Sequence, residues 1–230
     1  MNLITKYDKN FKKLEKNSSR TLVLFNIRLR LALDIQVNFS GKSLKIKKKI
    51  ILETYSKLIK LVELWNAYEA FIQYTNELGK YGNSKNNKAK IYSQSFLKEI
   101  GSLSVLKQLL NELKSKFIKD NNFKKDMNGY LKHIENDKRI GKKLTNDIIS
   151  VKNYFENEKE ISGIEILSLI YVERNMYYHN GETARMNMQY NNRKLLLDDY
   201  RKCLHEHVLI LANHILNSER LNTTGNIGYK

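Results

Sequence analysis

The chain has 230 residues, 41 Lys+Arg against 24 Asp+Glu, a net charge of +17 and a pI near 9.7. Hydrophobic residues at 41% and aromatics at 10% suffice for a buried core, which excludes wholesale disorder. The lone Cys203 excludes an internal disulfide framework and a Cys-rich zinc module, and no apolar run reaches the length of about 18 residues needed to span a membrane.

Met1 to Lys16 is polar and lysine-rich without an apolar stretch, so no secretory signal is read there and a cytoplasmic protein is expected. There is no proline, which favours a mostly helical chain. No fixed-period repeat is visible. The expected organisation is a basic N-terminal extension over 1–43 packed on a helical domain over 44–217, followed by a flexible tail over 218–230.

From Val23 to Phe39 every odd position is apolar, the period-two pattern of a half-buried strand. No other segment supplies a partner strand, so the stretch 21–39 reads as a strand or a helix, with a slight lean to helix. Residues 1–60 carry +11 of the +17. Arg28, Arg30, Lys45, Lys47, Lys48 and Lys49 belong to this cluster, which attracts polyanions by counterion release or serves as a solubilising surface.

Leu44 to Leu78 is predicted as a long helix, with Ile51, Tyr55, Leu58, Val62, Trp65 and Ile72 on one stripe. Glu69 interrupts the core side of that stripe. It either finds a partner in Arg174 or His179, or sits at the core edge. A second helix is predicted over Ala89–Lys119. Asn122–Glu160 reads as exposed helices broken at Gly129 and Gly141. Ile164–Tyr178 is nearly apolar all round, the mark of a buried helix, and a last helix runs from about Asn191 to Asn217 through Leu197, Tyr200, Leu204, Leu211 and Ile215. The fold expected is all-α, a helical bundle.

The buried helix ends in Glu173-Arg174-Asn175-Met176-Tyr177-Tyr178-His179-Asn180-Gly181. Polar and ionisable groups that follow a core-like stretch must be satisfied or functional. Asn175 and His179 are four apart and share a helical face, whereas Arg174 and His179 differ by about 140° around the axis. A capping network at the helix end is the plainer reading. Tyr177 and Tyr178 suit either packing or base stacking. On the last helix Cys203, His207 and His214 lie near one face, but no fourth ligand accompanies them, so no metal is expected. No phosphate loop, dinucleotide fingerprint or Ser-His-Asp elbow occurs, and no cofactor is implied.

Arg-Asn-x-x-x-His after an apolar helix, with Gly181 close behind, resembles the HEPN superfamily of small all-helical proteins, in which an Arg and a His are separated by four to six residues. The final helix after the motif and the earlier Trp65-Asn66-Ala67-Tyr68-Glu69-Ala70 agree with it. Related sequences often read Arg-Asn-Asn-x-x-His-Gly; here Met176 replaces the second Asn and Asn180 precedes Gly181.

The resemblance implies a HEPN-type bundle and a metal-independent endoribonuclease of the toxin or abortive-infection defence kind. Two motifs would meet at a homodimer interface, and a neutralising antitoxin or other defence-system partner would fit such a role. It implies that His179 takes or gives a proton, that Arg174 clamps the scissile phosphate, and that Asn175 orients the imidazole or the phosphate. The product would be a 2′,3′-cyclic phosphate, so RNA is the required substrate. Glu69, Glu173 and Tyr178 are expected to support this trio, with the basic cluster binding RNA. The competing readings are a non-catalytic RNA-binding or adaptor module and a plain helical interaction protein.

Overall fold

The apolar stripes and the lack of proline translate into helices throughout the described chain. The computed structural model describes residues 2–15, 18–37, 49–79, 90–157, 159–180 and 188–225, with side chains at 178–180 and 222–225 left aside. Among the described residues there are nine helices and no strand: α1 (Leu3–Leu14), α2 (Arg20–Asp34), α3 (Lys49–Leu78), α4 (Gln94–Glu99), α5 (Ser102–Lys119), α6 (Asn121–Glu135), α7 (Lys142–Asn157), α8 (Glu165–Asn180) and α9 (Tyr190–Gly225). The all-α expectation holds.

The long helix α3 is the centre of the bundle. It buries residues on several faces, among them Leu58, Leu61, Trp65, Ala67, Tyr68 and Phe71, because α2, α8 and α9 all pack on it. Helix α1 lies on α9, and Tyr7 and Phe11 join the same core as Phe25, Phe71 and Trp65. Helices α1 and α2 are thus built into the common core.

Of the stretch 21–39, residues 38 and 39 lie outside the described residues and the rest is helix as far as Asp34, with Ser19 capping α2 by accepting from the Leu22 N–H at 3.3 Å. The period-two pattern has a simple origin. Leu22, Phe25, Leu29 and Ala32 are buried against the bundle, while Val23, Leu24, Ile27 and Leu31 are exposed. Two apolar helical stripes therefore interleave, and their sum imitates alternation.

Three further boundaries differ from expectation. The 89–119 helix is two helices, α4 and α5, divided at Gly101, whose φ of 80° is the left-handed conformation that glycine adopts freely. Gly129 breaks nothing and lies inside α6; the chain turns only before α7. Nor are α6 and α7 merely exposed, because Phe123, Met127, Tyr130, Leu131, Ile134, Ile148, Val151 and Phe155 are buried. At the other end, α9 continues beyond Asn217 to Gly225.

Candidate functional site

Helix α8 starts from a built N-terminus. Ser162 Oγ donates to the Glu165 carboxylate at 2.8 and 2.9 Å, and the Gly163 N–H donates to Glu165 Oε2 at 2.9 Å. Gly163 has φ 94°, and a Cβ there would stand 2.6 Å from Lys107 Cγ, so only glycine lets α8 approach α5 this closely. From this start Ile166, Leu167, Leu169, Ile170 and Val172 sink into the core and carry the polar cluster to the far end of the helix.

Glu173 is fully buried and accepts from the Tyr130 hydroxyl at 2.9 Å. It also forms an ion pair with Arg193 of α9, itself fully buried, whose guanidinium lies 4.8 Å above the Tyr130 ring centre. A buried charge needs such neutralisation. Burial and the adjacent carboxylate together push the Tyr130 phenol well above its ordinary range. This pair fixes the rotation of α8 relative to α6 and α9.

One residue on, at about 100° of helical rotation, Arg174 faces α3. Its Nη1 donates to Asn175 Oδ1 at 3.0 Å and its Nη2 to Asn66 Oδ1 at 3.3 Å, with Glu69 Oε2 at 3.5 Å. Arg174 is 8% exposed. Asn175 and Glu69 are half-buried, so the guanidinium lies beneath polar side chains at the margin of the core. The partner anticipated for Glu69 is Arg174. Asn175 holds the arginine.

His179 is the penultimate residue of α8; its side chain and that of Tyr178 lie outside the described residues, as does Gly181. Tyr177 packs rather than protrudes, its ring 6.4 Å from that of Tyr55. Lys45, Lys47 and Lys48 also lie outside the described residues. Lys49 is exposed, with Glu53 at 3.9 Å. Arg28 and Arg30 are engaged inside the molecule, Arg28 with Glu63 at 3.3 Å and Arg30 with Asp8. They tie α2 to α3 and to α1, and remain about 40% exposed at the side chain (41% and 40%).

Cys203, His207 and His214 diverge into separate environments. The His207 ring is fully buried between Ser102 Oγ, 2.6 Å from Nδ1, and Tyr68 Oη, 3.5 Å from Nε2. Burial pushes its pKa down to about 3. The buried Cys203 thiol points at the Val105 carbonyl, and the exposed His214 lies edge-on to Phe96. Among the described residues no three His, Cys, Asp or Glu side chains are grouped to hold a metal ion.

Sequence reasoning missed the roles of Arg193, Tyr130 and Asn66. Arg193 carried a signal, since it stands at helical spacing from Leu197, Tyr200 and Leu204, a cation on an apolar stripe. Asn66 and Tyr130 carried none. No family model, curated protein or solved structure matches the chain.

Proposed function

We propose that this protein is a metal-independent endoribonuclease of the HEPN type, with Arg174, Asn175 and His179 as its working residues. The observation that carries the reading is the treatment of two adjacent charges. Glu173 is cancelled inside the core by Arg193, while Arg174 is held against Asn175, Asn66 and Glu69 at the edge of solvent. A guanidinium held at three points is preorganised for a phosphate, and preorganised charge is what stabilises a phosphorane-like transition state.

In this reaction a base removes the proton of a ribose 2′-hydroxyl, and the 2′-oxygen attacks the adjacent phosphorus. The P–O5′ bond breaks and the leaving oxygen takes up a proton, giving a 2′,3′-cyclic phosphate and a 5′-hydroxyl. An imidazole, whose unperturbed pKa is near 6.5, suits either proton transfer near neutral pH, and His179 would supply it. Arg174 binds the non-bridging oxygens. A homodimer would bring two such motifs to one strand, and a toxin or antiviral defence role with a neutralising partner fits this activity.

The test is cleavage of labelled single-stranded RNA by the wild type, His179→Ala and Arg174→Lys, with chelator present. Cleavage that leaves cyclic phosphate ends, disappears in both variants and fails on a 2′-deoxy substrate supports the proposal. Equal cleavage by wild type and His179→Ala refutes it. Salt-dependent RNA binding without cleavage points to the adaptor reading instead.

A further inference from the structure

Large apolar side chains exposed singly on a surface are ordinary, but a row of them on one helix is not. Of the seven such residues among those described, four lie on α2: Val23 (39% exposed), Leu24 (39%), Ile27 (56%) and Leu31 (43%). The other three, Ile118, Leu195 and Leu221, are scattered over α5 and α9.

The spacing is regular. Arg20, Leu24, Ile27, Leu31 and Asp34 follow one another at intervals of four, three, four and three, the repeat of a two-helix seam. All five are exposed. They occupy the side of α2 opposite Leu22, Phe25, Leu29 and Ala32, which pack on the bundle. Neither Arg20 nor Asp34 has an ion-pair partner among the described residues.

We infer that α2 is a self-association surface, pairing antiparallel with α2 of a second copy of this chain about a two-fold axis at Ile27. Under that axis each residue meets the one whose number completes the same sum. Ile27 faces Ile27, Val23 faces Leu31, and Arg20 faces Asp34 at both ends. The charge pattern is thus self-complementary in the antiparallel sense. A parallel pair would set Arg20 against Arg20 and Asp34 against Asp34. The one unlike pair is Leu24 against Arg30, whose aliphatic stem covers the leucine; the rest of the stripe matches its own reverse, which favours a second copy over an unrelated partner.

The exposed apolar surface amounts to fewer than two whole side chains per protomer, well below a standard interface of about 800 Å² per partner. The pair is accordingly a weak, concentration-dependent dimer. This contact is separate from any pairing of α8 ends, so its test includes a cross-link on α2 itself, which distinguishes its failure from failure of the ribonuclease reading.

Sedimentation velocity of the full chain from roughly 1 to 200 μM should show monomer passing to dimer. Ile27→Glu places two like charges at the axis and should weaken the dimer at least about tenfold. Arg20→Asp alone and Asp34→Arg alone each create two repulsive pairs by symmetry and should weaken it roughly threefold to tenfold. The double variant Arg20→Asp/Asp34→Arg should return to within about threefold of wild type. All these positions are exposed, and unchanged helical circular dichroism verifies folding. Ile27→Cys, on the axis, should cross-link to itself in a second copy under mild oxidation, which pairing through the α8 ends would not give; a wild type that stays monomeric throughout, an Ile27→Cys variant that does not cross-link, or a double variant no tighter than the singles overturns the proposal.

Discussion

Replacing Arg193 by Met removes the only cation among the described residues that pairs with the buried Glu173 carboxylate, leaving it with the Tyr130 hydroxyl bond at 2.9 Å. Both members of the pair are fully buried, so water cannot take the place of the guanidinium without opening the core. Breaking one side of a buried ion pair costs about 3–5 kcal/mol, and for a chain of this size that lowers Tm by roughly 6–20 °C. Removing both charges is a different perturbation. Glu173→Gln/Arg193→Met keeps a carbonyl oxygen for Tyr130 and buries no ion, so its stability should lie within about 1–2 kcal/mol of wild type. Urea unfolding followed by circular dichroism measures all four corners of the cycle. A single Arg193→Met variant that loses less than about 1 kcal/mol, or a double variant less stable than that single, would refute the account of α8 as a helix fixed in rotation by this pair. Because Arg174 adjoins Glu173 in sequence, the same single variant should also loosen the Arg174–Asn66 contact and lower any RNA cleavage, and the double variant should restore both.

Two other predictions test the packing around the site. His207 is held neutral by burial with a pKa near 3, against an ordinary imidazole value of about 6.5, so the unfolded chain binds a proton in this window that the folded chain refuses. Stability should be full above about pH 6.5 and fall as pH drops, by about 1.4 kcal/mol per unit or about 2 kcal/mol by pH 5, and His207→Asn should flatten that slope in urea unfolding. If both proteins show the same slope, His207 is not the group responsible. Gly163→Ala should destabilise by about 1–3 kcal/mol, since it combines a φ of 94° with a Cβ 2.6 Å from Lys107 Cγ; Gly101→Ala, with φ 80° and open space around it, should lose only about 1 kcal/mol. Equal Tm losses in the two variants would show that close approach to α5 does not matter.

Much of the bundle was legible because most helices present a single apolar stripe. The stripe through Leu58, Trp65 and Ile72 placed α3, the unbroken run from Ile164 placed α8, and Leu197, Tyr200 and Leu204 placed α9. Helix α2 was ambiguous for a physical reason: two apolar stripes on opposite faces of one helix add up to the alternation of a strand. Gly129 misled because a glycine inside a helix weakens it by about 1 kcal/mol without ending it when flanking residues such as Met127 and Tyr130 are anchored. Within the candidate site, the sequence marked Arg174 and Asn175, and the pairing of Arg174 with Glu69 was one of two partners considered.

By itself, the sequence determined that this chain is helical, basic and cored, and that a polar cluster closes an apolar helix. These are local properties, written in composition and in spacings of three and four residues. Only the tertiary structure decided which charge goes inward. Glu173 and Arg174 are neighbours in sequence, but their surroundings come from α3, α6 and α9, and Arg193 and Asn66 reach them from 20 and 108 residues away. The rotation of α8 that seals Glu173 completely in the core and leaves Arg174 at its margin, 8% exposed, is set by contacts across the bundle, which no local pattern encodes.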